Sequence, residues 1–259
     1  MPATIFPMSE GLVRVGIGGW NYAPWRGSFF PPKLPQSREL EFASRQFGAL
    51  EINATFYGRQ SPSTWKKWAA AVPEGFQFAV KGSRFCVTKP KLADAGEGIT
   101  AFMAQGLAGL GSKLGPILWM FSARRTFDRE DVARFVELLP PQVDGIPLRH
   151  VVEPRHESFR DEAFFSLCRD RDIAVVFGDD DNFPCIDVDT ASFAYARLQR
   201  MREEEETGYE AIALNRFAER ARQWQAEARD AYVFMINGAK VRAPAAAQAL
   251  QQRLGIAPA

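Results

Sequence analysis

Eight short apolar runs, rich in β-branched residues and spread over the whole chain, restrict the fold more than any other feature of the sequence. They are "VRVGIGG" from Val13, "ALEIN" from Ala49, "FQFAVKG" from Phe76, "GPILWMF" from Gly115, "LRHVVEP" from Leu148, "IAVVFGD" from Ile173, "FAYARLQ" from Phe193 and "AYVFMIN" from Ala231. Most of the gaps between them hold an amphipathic helix. In "SPSTWKKWAAAVPEG", Ser61 caps, Pro62 suits the first helical position, and Trp65, Trp68, Ala69 and Val72 form one stripe. In "FDREDVARFVELLP", Asp128 caps while Val132, Phe135 and Val136 face inward. Ile99, Phe102, Met103 and Leu107 make a third stripe, and Leu214, Phe217, Ala221 and Trp224 a fourth. The gap from Asp180 to Ser192 has no stripe and reads as an irregular connection.

Strands that alternate with helices pair in parallel. Eight such units in 259 residues fit an α/β chain folded as a single (β/α)8 TIM barrel over residues 1–259, with a short N-terminal tail to about residue 12. A doubly wound open sheet is the rival. It usually carries a Gly-rich phosphate loop after its first strand, and "GIGGWNYAPW" does not match G-x-G-x-x-G.

Charge excludes little but points nowhere basic: Lys plus Arg total 32 against 31 Asp plus Glu. Nothing in that balance favours a nucleic acid or a membrane surface as partner. No apolar run approaches the ~20 residues needed to span a bilayer, and no secretory leader is visible. Cys86, Cys168 and Cys185 are odd in number and far apart, which fits a reducing cytoplasm rather than a disulfide framework. The run Glu203 to Glu206 reads as a solvated acidic loop.

The run "EINATFYG" poses the functional question. Glu51, Asn53 and Thr55 alternate with core residues, so a period of two places all three on one face. In a barrel, that face at the C-terminal strand ends is where sites are built. Other strands end likewise: Lys81 after "FAV", Glu153 after "HVV", Asp179 after "VFG", Arg197 after "YA" and Asn237 after "FMI". The strand starts show much less polarity. Single residues of this kind can equally well solvate a rim or cap a helix, but together they predict a pocket. Lysine and arginine there would hold a phosphate or carboxylate. Paired carboxylates would suit acid–base work, because like charges in a cleft push their pKa values apart. Glu51, Glu153 and Asp179 are therefore the catalytic candidates, with Arg155 close by and Lys81 the expected partner of Glu51.

The first loop gathers Trp20, Tyr22, Trp25, Phe29 and Phe30. Such rings either stack on a sugar or base or cover the barrel end. Packing is expected for Phe29 and Phe30, while Trp20 and Tyr22 stay open as ligand contacts. With only His150 and His156, and no H-x-H, H-E-x-x-H or C-x-x-C, no metal site and no cofactor is expected. His150, in mid-strand, reads as a satisfied core residue.

Four segments, "GGWNYAPWRGSFFPP", "EINATFYGRQSPSTWKKWAAAVPEGFQFAVKGSR", "KLGPILWMF" and "EPRHESF", together resemble the YecE-like family, also called domain of unknown function 72. The W-x-Y-x-x-W and E-x-N-x-T-F-Y patterns, in this order and spacing, carry the resemblance. It implies a TIM barrel and no established activity. By position it covers Trp20, Tyr22, Glu51, Asn53, Thr55, Phe56, Tyr57, Lys81, Glu153, Arg155, Asp179 and Arg197. This chain departs from the pattern with "WMFS" at the end of strand four and with Lys89 after Thr88. In "RLQR" Arg197 lacks the histidine and glycine that usually follow it.

The functional expectation is an enzyme using acid–base chemistry on a small anionic or sugar-like substrate. Lys81, Arg155 and Arg197 would bind the anion, and Trp20, Tyr22, Asn53, Tyr57 and Asn237 would line the pocket. A nucleic-acid phosphodiester binder or endonuclease-like barrel, and a non-catalytic ligand-binding barrel, are the alternatives.

Overall fold

The computed structural model describes residues 10–258, so most of the expected N-terminal tail lies outside the described residues. Nine strands form one sheet in which every pairing is parallel. They are β1 (Val13–Gly18), β2 (Ala49–Ile52), β3 (Gln77–Lys81) and β4 (Leu114–Met120), then β7 (His150–Glu153), β8 (Ala174–Val175), β9 (Phe177–Asp179), β10 (Phe193–Leu198) and β11 (Asp230–Met235). A two-stranded antiparallel hairpin, β5 (Gln142–Val143) and β6 (Ile146–Pro147), stands apart from this sheet.

The order β8-β7-β4-β3-β2-β1-β11-β10-β9 closes on itself, because β8 and β9 are two halves of the single run "IAVVFGD". The first half pairs with β7 through Val151↔Ala174 and the second with β10 through Ala196↔Phe177. Where the first half is separated from β10, Thr190 fills the gap. Its Oγ1 accepts from the Val175 N–H at 3.1 Å and donates to the Ile173 carbonyl at 2.7 Å. Eight strand runs thus make one TIM barrel, as the sequence predicts.

The period of two sorts side chains into two apolar clusters. Ala49, Ala79, Leu118, Val151, Phe193, Tyr195, Tyr232 and Phe234 fill the barrel interior. Val15, Ile17, Leu50, Ile52, Phe78 and Val80 face the helices. Small residues on β1, β2 and β3 lie beside the large rings of β10 and β11: a Cβ on Gly16 would lie 1.9 Å from the Ala49 carbonyl oxygen and 3.2 Å from the Phe234 ring. Only glycine lets β1 come that close.

The expected caps form. Ser61 accepts from Thr64 at the start of helix Pro62–Ala70, and Asp128 accepts from Glu130 and Asp131 at the start of helix Arg129–Leu138. The helix carrying Ile99, Phe102 and Met103 stops at Met103, because Gly106 (φ 99°) turns the chain before Leu107, which is buried all the same. In helix Ala211–Ala226, Leu214, Ala221 and Trp224 are buried while Phe217 is only partly so. The Asp180–Ser192 connection has neither helix nor strand.

One expectation about polarity fails. The strand starts are also polar: Arg14, Gln77, Arg149 and Asp230 gather beneath Tyr232. No helix among the described residues is long and apolar enough to cross a membrane.

Candidate functional site

At the C-terminal end of the barrel, two carboxylates and two guanidiniums form a buried chain. Arg197, inward-facing on β10, donates from Nε to Glu51 Oε2 and from Nη2 to Glu51 Oε1, both at 3.1 Å. Its Nη1 donates to Glu153 Oε2. Arg155 closes the chain from the loop after β7, donating to Glu153 Oε1 from Nε at 3.0 Å and Nη2 at 2.9 Å. Tyr195, two residues before Arg197 and on the same inward face, donates its hydroxyl to Glu51 Oε2 at 2.7 Å. Glu51 is fully buried and Arg197 nearly so.

Charges this deep persist only when paired and hydrogen-bonded. Burial would raise the Glu153 carboxyl, but Arg197 and then Arg155 hold it below its ordinary range. Burial also pushes the Tyr195 hydroxyl well up, and Glu51 adds to it. The tetrad is neutral as a unit and its hydrogen-bonding groups are engaged with one another.

Lys81, the last residue of β3, differs. Its ammonium rests over the Phe56 ring at 4.5 Å and has no carboxylate partner among the described residues. Burial, and then the nearby Arg197 guanidinium, lower its pKa to about 8, against the opposing pull of Glu51 and Glu153. The side chain opens into a cleft of about 630 Å³ at the barrel mouth. Asn21, Asn53 and Asn237 supply its amides, and Trp20, Trp68 and Tyr57 its rings. Lys240, after β11, is the second amine, and no Asp or Glu lines the cleft.

The structure therefore divides the expected site. Lys81, Trp20, Asn53, Tyr57 and Asn237 line the cleft. Glu51, Glu153, Arg155 and Arg197 belong to the tetrad beneath it, where both arginines are already occupied by carboxylates. Tyr22 does not itself line the cleft; the Lys240 ammonium lies 4.8 Å from its ring centroid.

Four expectations are corrected. Asp179 does not join the others: it pairs with Leu198 while Gly178 pairs with the inward-facing Arg197, so alternation turns Asp179 to the outside. There it binds Arg200 and accepts from the Tyr209 hydroxyl at 3.0 Å. Glu51 is not paired with Lys81. The β2–β3 register sets Ala79 beside Glu51, and Lys81 lies two residues nearer the mouth. Thr55 does not continue the strand face, because β2 ends at Ile52 and Ala54–Tyr57 is a helical turn. The Thr55 hydroxyl instead donates to the Lys81 carbonyl at 2.6 Å, tying this turn to β3. Arg155 does not stand free at the mouth but is bonded to Glu153 through Nε and Nη2.

Phe30 and Trp25 are fully buried and Phe29 packs on Phe47, as expected of a covering loop. His150 accepts from the Trp119 indole at 3.1 Å and bonds the Pro140 carbonyl at 2.8 Å, and burial lowers its pKa to about 4. It is a neutral, satisfied ring. No three His, Cys, Asp or Glu side chains are grouped as a metal site among the described residues.

Sequence reasoning missed Tyr195, Asn21 and Lys240. Tyr195 was accessible to it, since "YAR" puts Tyr195 and Arg197 on one strand face. Asn21 follows β1 in a loop and Lys240 opens the 3-10 turn Lys240–Arg242 after β11, where no periodicity marks them.

A profile of the family described as "Protein of unknown function DUF72" matches residues 14–259. The UPF0759 protein YunF of Bacillus subtilis (strain 168) is 34% identical over 70 residues, which take in 27% of this chain and 24% of that protein. Among solved structures, a DUF72 family protein of Enterococcus faecalis V583 has a TM-score of 0.74 at 18% identity, covering 95% of this chain and 96% of that one. One of Thermotoga maritima MSB8 has a TM-score of 0.72 at 24% identity, covering 93% and 97%. The structure described as SacUVDE shares the fold alone, with a TM-score of 0.56 at 11% identity over 93% of this chain and 98% of that one.

Proposed function

The chain belongs to the DUF72 family, and on that premise we propose that it is an enzyme acting on a small anionic or sugar-like substrate in the mouth cleft, with Lys81 as the proton-transferring group. The observation that carries this reading is the Lys81 amine, which faces an acid-free cleft without a carboxylate partner among the described residues. A group meant only to hold the fold would be paired. An amine with its pKa brought down to about 8 exchanges protons readily near neutral pH, and it attracts an anion whenever it is charged. The amides of Asn21, Asn53 and Asn237 offer donors and acceptors to hydroxyl groups, and Trp20 and Tyr57 offer ring faces.

Glu51 and Glu153 take a positioning role in this reading. They fix Arg197, and Arg197 sets the electrostatic surroundings of Lys81. The unpaired Cys86, Cys168 and Cys185 fit work in the cytoplasm.

Competitive acetylation with limiting anhydride, read by peptide mass across pH, tests the ionisation. Lys81 should titrate near 8, and a midpoint near the ordinary lysine value of 10.5 would sink the proposal. Calorimetry with gluconate as probe should show binding to the wild-type protein and its loss in Lys81→Met.

A further inference from the structure

We infer that the cleft takes a phosphorylated ligand, a sugar phosphate whose phosphate is held by Lys240 while its reacting end lies toward Lys81. This rests on the small-substrate reading above and adds the class of substrate. Lys240 is built into the mouth rather than left on its surface. Asn237 and Gly238 both adopt left-handed backbone (φ 59° and 51°), which turns the chain back after β11. A Cβ on Gly238 would lie 2.4 Å from the Gln199 carbonyl oxygen, so only glycine fits that turn. The Lys240 carbonyl then accepts from the fully buried Trp25 indole at 3.0 Å.

The ammonium of Lys240 lies 4.8 Å from the Tyr22 ring centroid and 5.6 Å from that of Trp25. Aromatic faces hold a cation in place without neutralising it. Among the described residues no carboxylate pairs with it, and burial alone lowers its pKa.

The chemistry of the cleft selects the anion. An ammonium binds a phosphate as a point charge and needs no particular plane, so amines alone can hold one. Both guanidiniums of the tetrad are bound to Glu51 and Glu153, so the cleft itself offers amines. Two amines and no acid balance a phosphate monoester, which carries about −1.5 to −2 charge at neutral pH. Loops after the last barrel strands are where this fold commonly binds phosphate, and Lys240 follows the last strand. A cleft of about 630 Å³ has room for a phosphate and a short polyol chain.

Calorimetry with inorganic phosphate, ribose 5-phosphate and ribose tests the assignment on wild type, Lys240→Gln, Lys240→Arg and Lys81→Met. Lys240→Gln should weaken ribose 5-phosphate and inorganic phosphate at least tenfold and leave ribose unchanged, and Lys240→Arg should recover part of the loss. In wild-type protein, inorganic phosphate should shield Lys240 from acetylation, a readout that survives if a variant does not fold. Equal phosphate affinity in Lys240→Gln, no shielding, or no phosphate binding to wild type would each overturn the phosphate assignment. Lys81→Met separates the two readings: loss of gluconate binding there, with Lys240→Gln silent toward phosphate, keeps the small-substrate enzyme and removes the sugar phosphate.

Discussion

At the bottom of the barrel, Arg149 donates to Asp230 at 2.9 Å and to the Tyr232 hydroxyl at 3.0 Å, while Tyr232 also reaches Gln77. At the top, Arg197 bridges Glu51 and Glu153, with Arg155 beyond. Both rims are charged, yet the bottom cluster is partly open to solvent, with Arg149 43% and Asp230 29% exposed, whereas Arg197 and Glu51 are at 1% and 0%. The top differs in a second way: beside its satisfied tetrad it keeps Lys81 unpaired against a cleft. Polarity by itself therefore marks neither rim as the site. Burial combined with an unpaired amine that faces a cleft does.

The comparison breaks first on Arg197. Arg197→Met leaves two buried carboxylates facing each other, and removing one member of a buried pair costs roughly 3–5 kcal/mol. Urea unfolding should show a loss of that size. A loss under 1 kcal/mol would mean the tetrad is wet and resembles the bottom rim.

Glu51→Gln comes next. Pairing with a lysine at the mouth, as the sequence suggests, would make this a small change, within roughly 1–2 kcal/mol. With Arg197 bidentate on Glu51 and Tyr195 donating to it, loss of the charge should cost about 2–4 kcal/mol. Chemical denaturation checks it, and a change below 1 kcal/mol would return Glu51 to the rim.

These two residues show what was legible in the sequence. Strand count, helix stripes and both caps follow from periodicity and side-chain chemistry, which are local properties. The inward direction of Glu51, Lys81, Glu153 and Arg197 also follows, because each is the last or next-to-last residue of a strand and ends its inward row. Asp179 was misplaced because "IAVVFGD" is apolar on both faces, so nothing in it fixes the phase of the alternation. The Glu51–Lys81 pairing failed for another reason. It depends on register between strands and on the reach of an arginine from across the barrel, and neither is written in a local pattern.

Lys81→Met sharpens the comparison in the opposite direction. A lysine with a folded pKa of about 8 and an unfolded value near 10.5 binds fewer protons folded than unfolded between those values. Stability therefore rises with pH across that window and is at its lowest, for this group, below pH 8. Lys81→Met should stabilise the protein by about 1–3 kcal/mol at pH 7 and flatten the rise between pH 8 and 10.5. Thermal melts across pH read this directly. A destabilised variant with the slope intact would make Lys81 a structural group.

Arg149→Gln is the smallest expected effect and the control on the whole comparison. Arg149 is half-exposed, so its pair with Asp230 acts in a high-dielectric setting and is screened by salt. Its loss leaves Asp230 accepting from the Leu12 N–H at 3.0 Å, and Tyr232 still bonded to Gln77. No buried group is stranded, so the change should cost about 0–1 kcal/mol and shrink further in 0.5 M salt. Urea unfolding at two salt concentrations measures both quantities. If Arg149→Gln instead costs as much as Arg197→Met, and does so independently of salt, the bottom rim is as dry as the top. Burial would then no longer tell the two ends apart, and the assignment of the site would rest on the cleft and its two lysines alone.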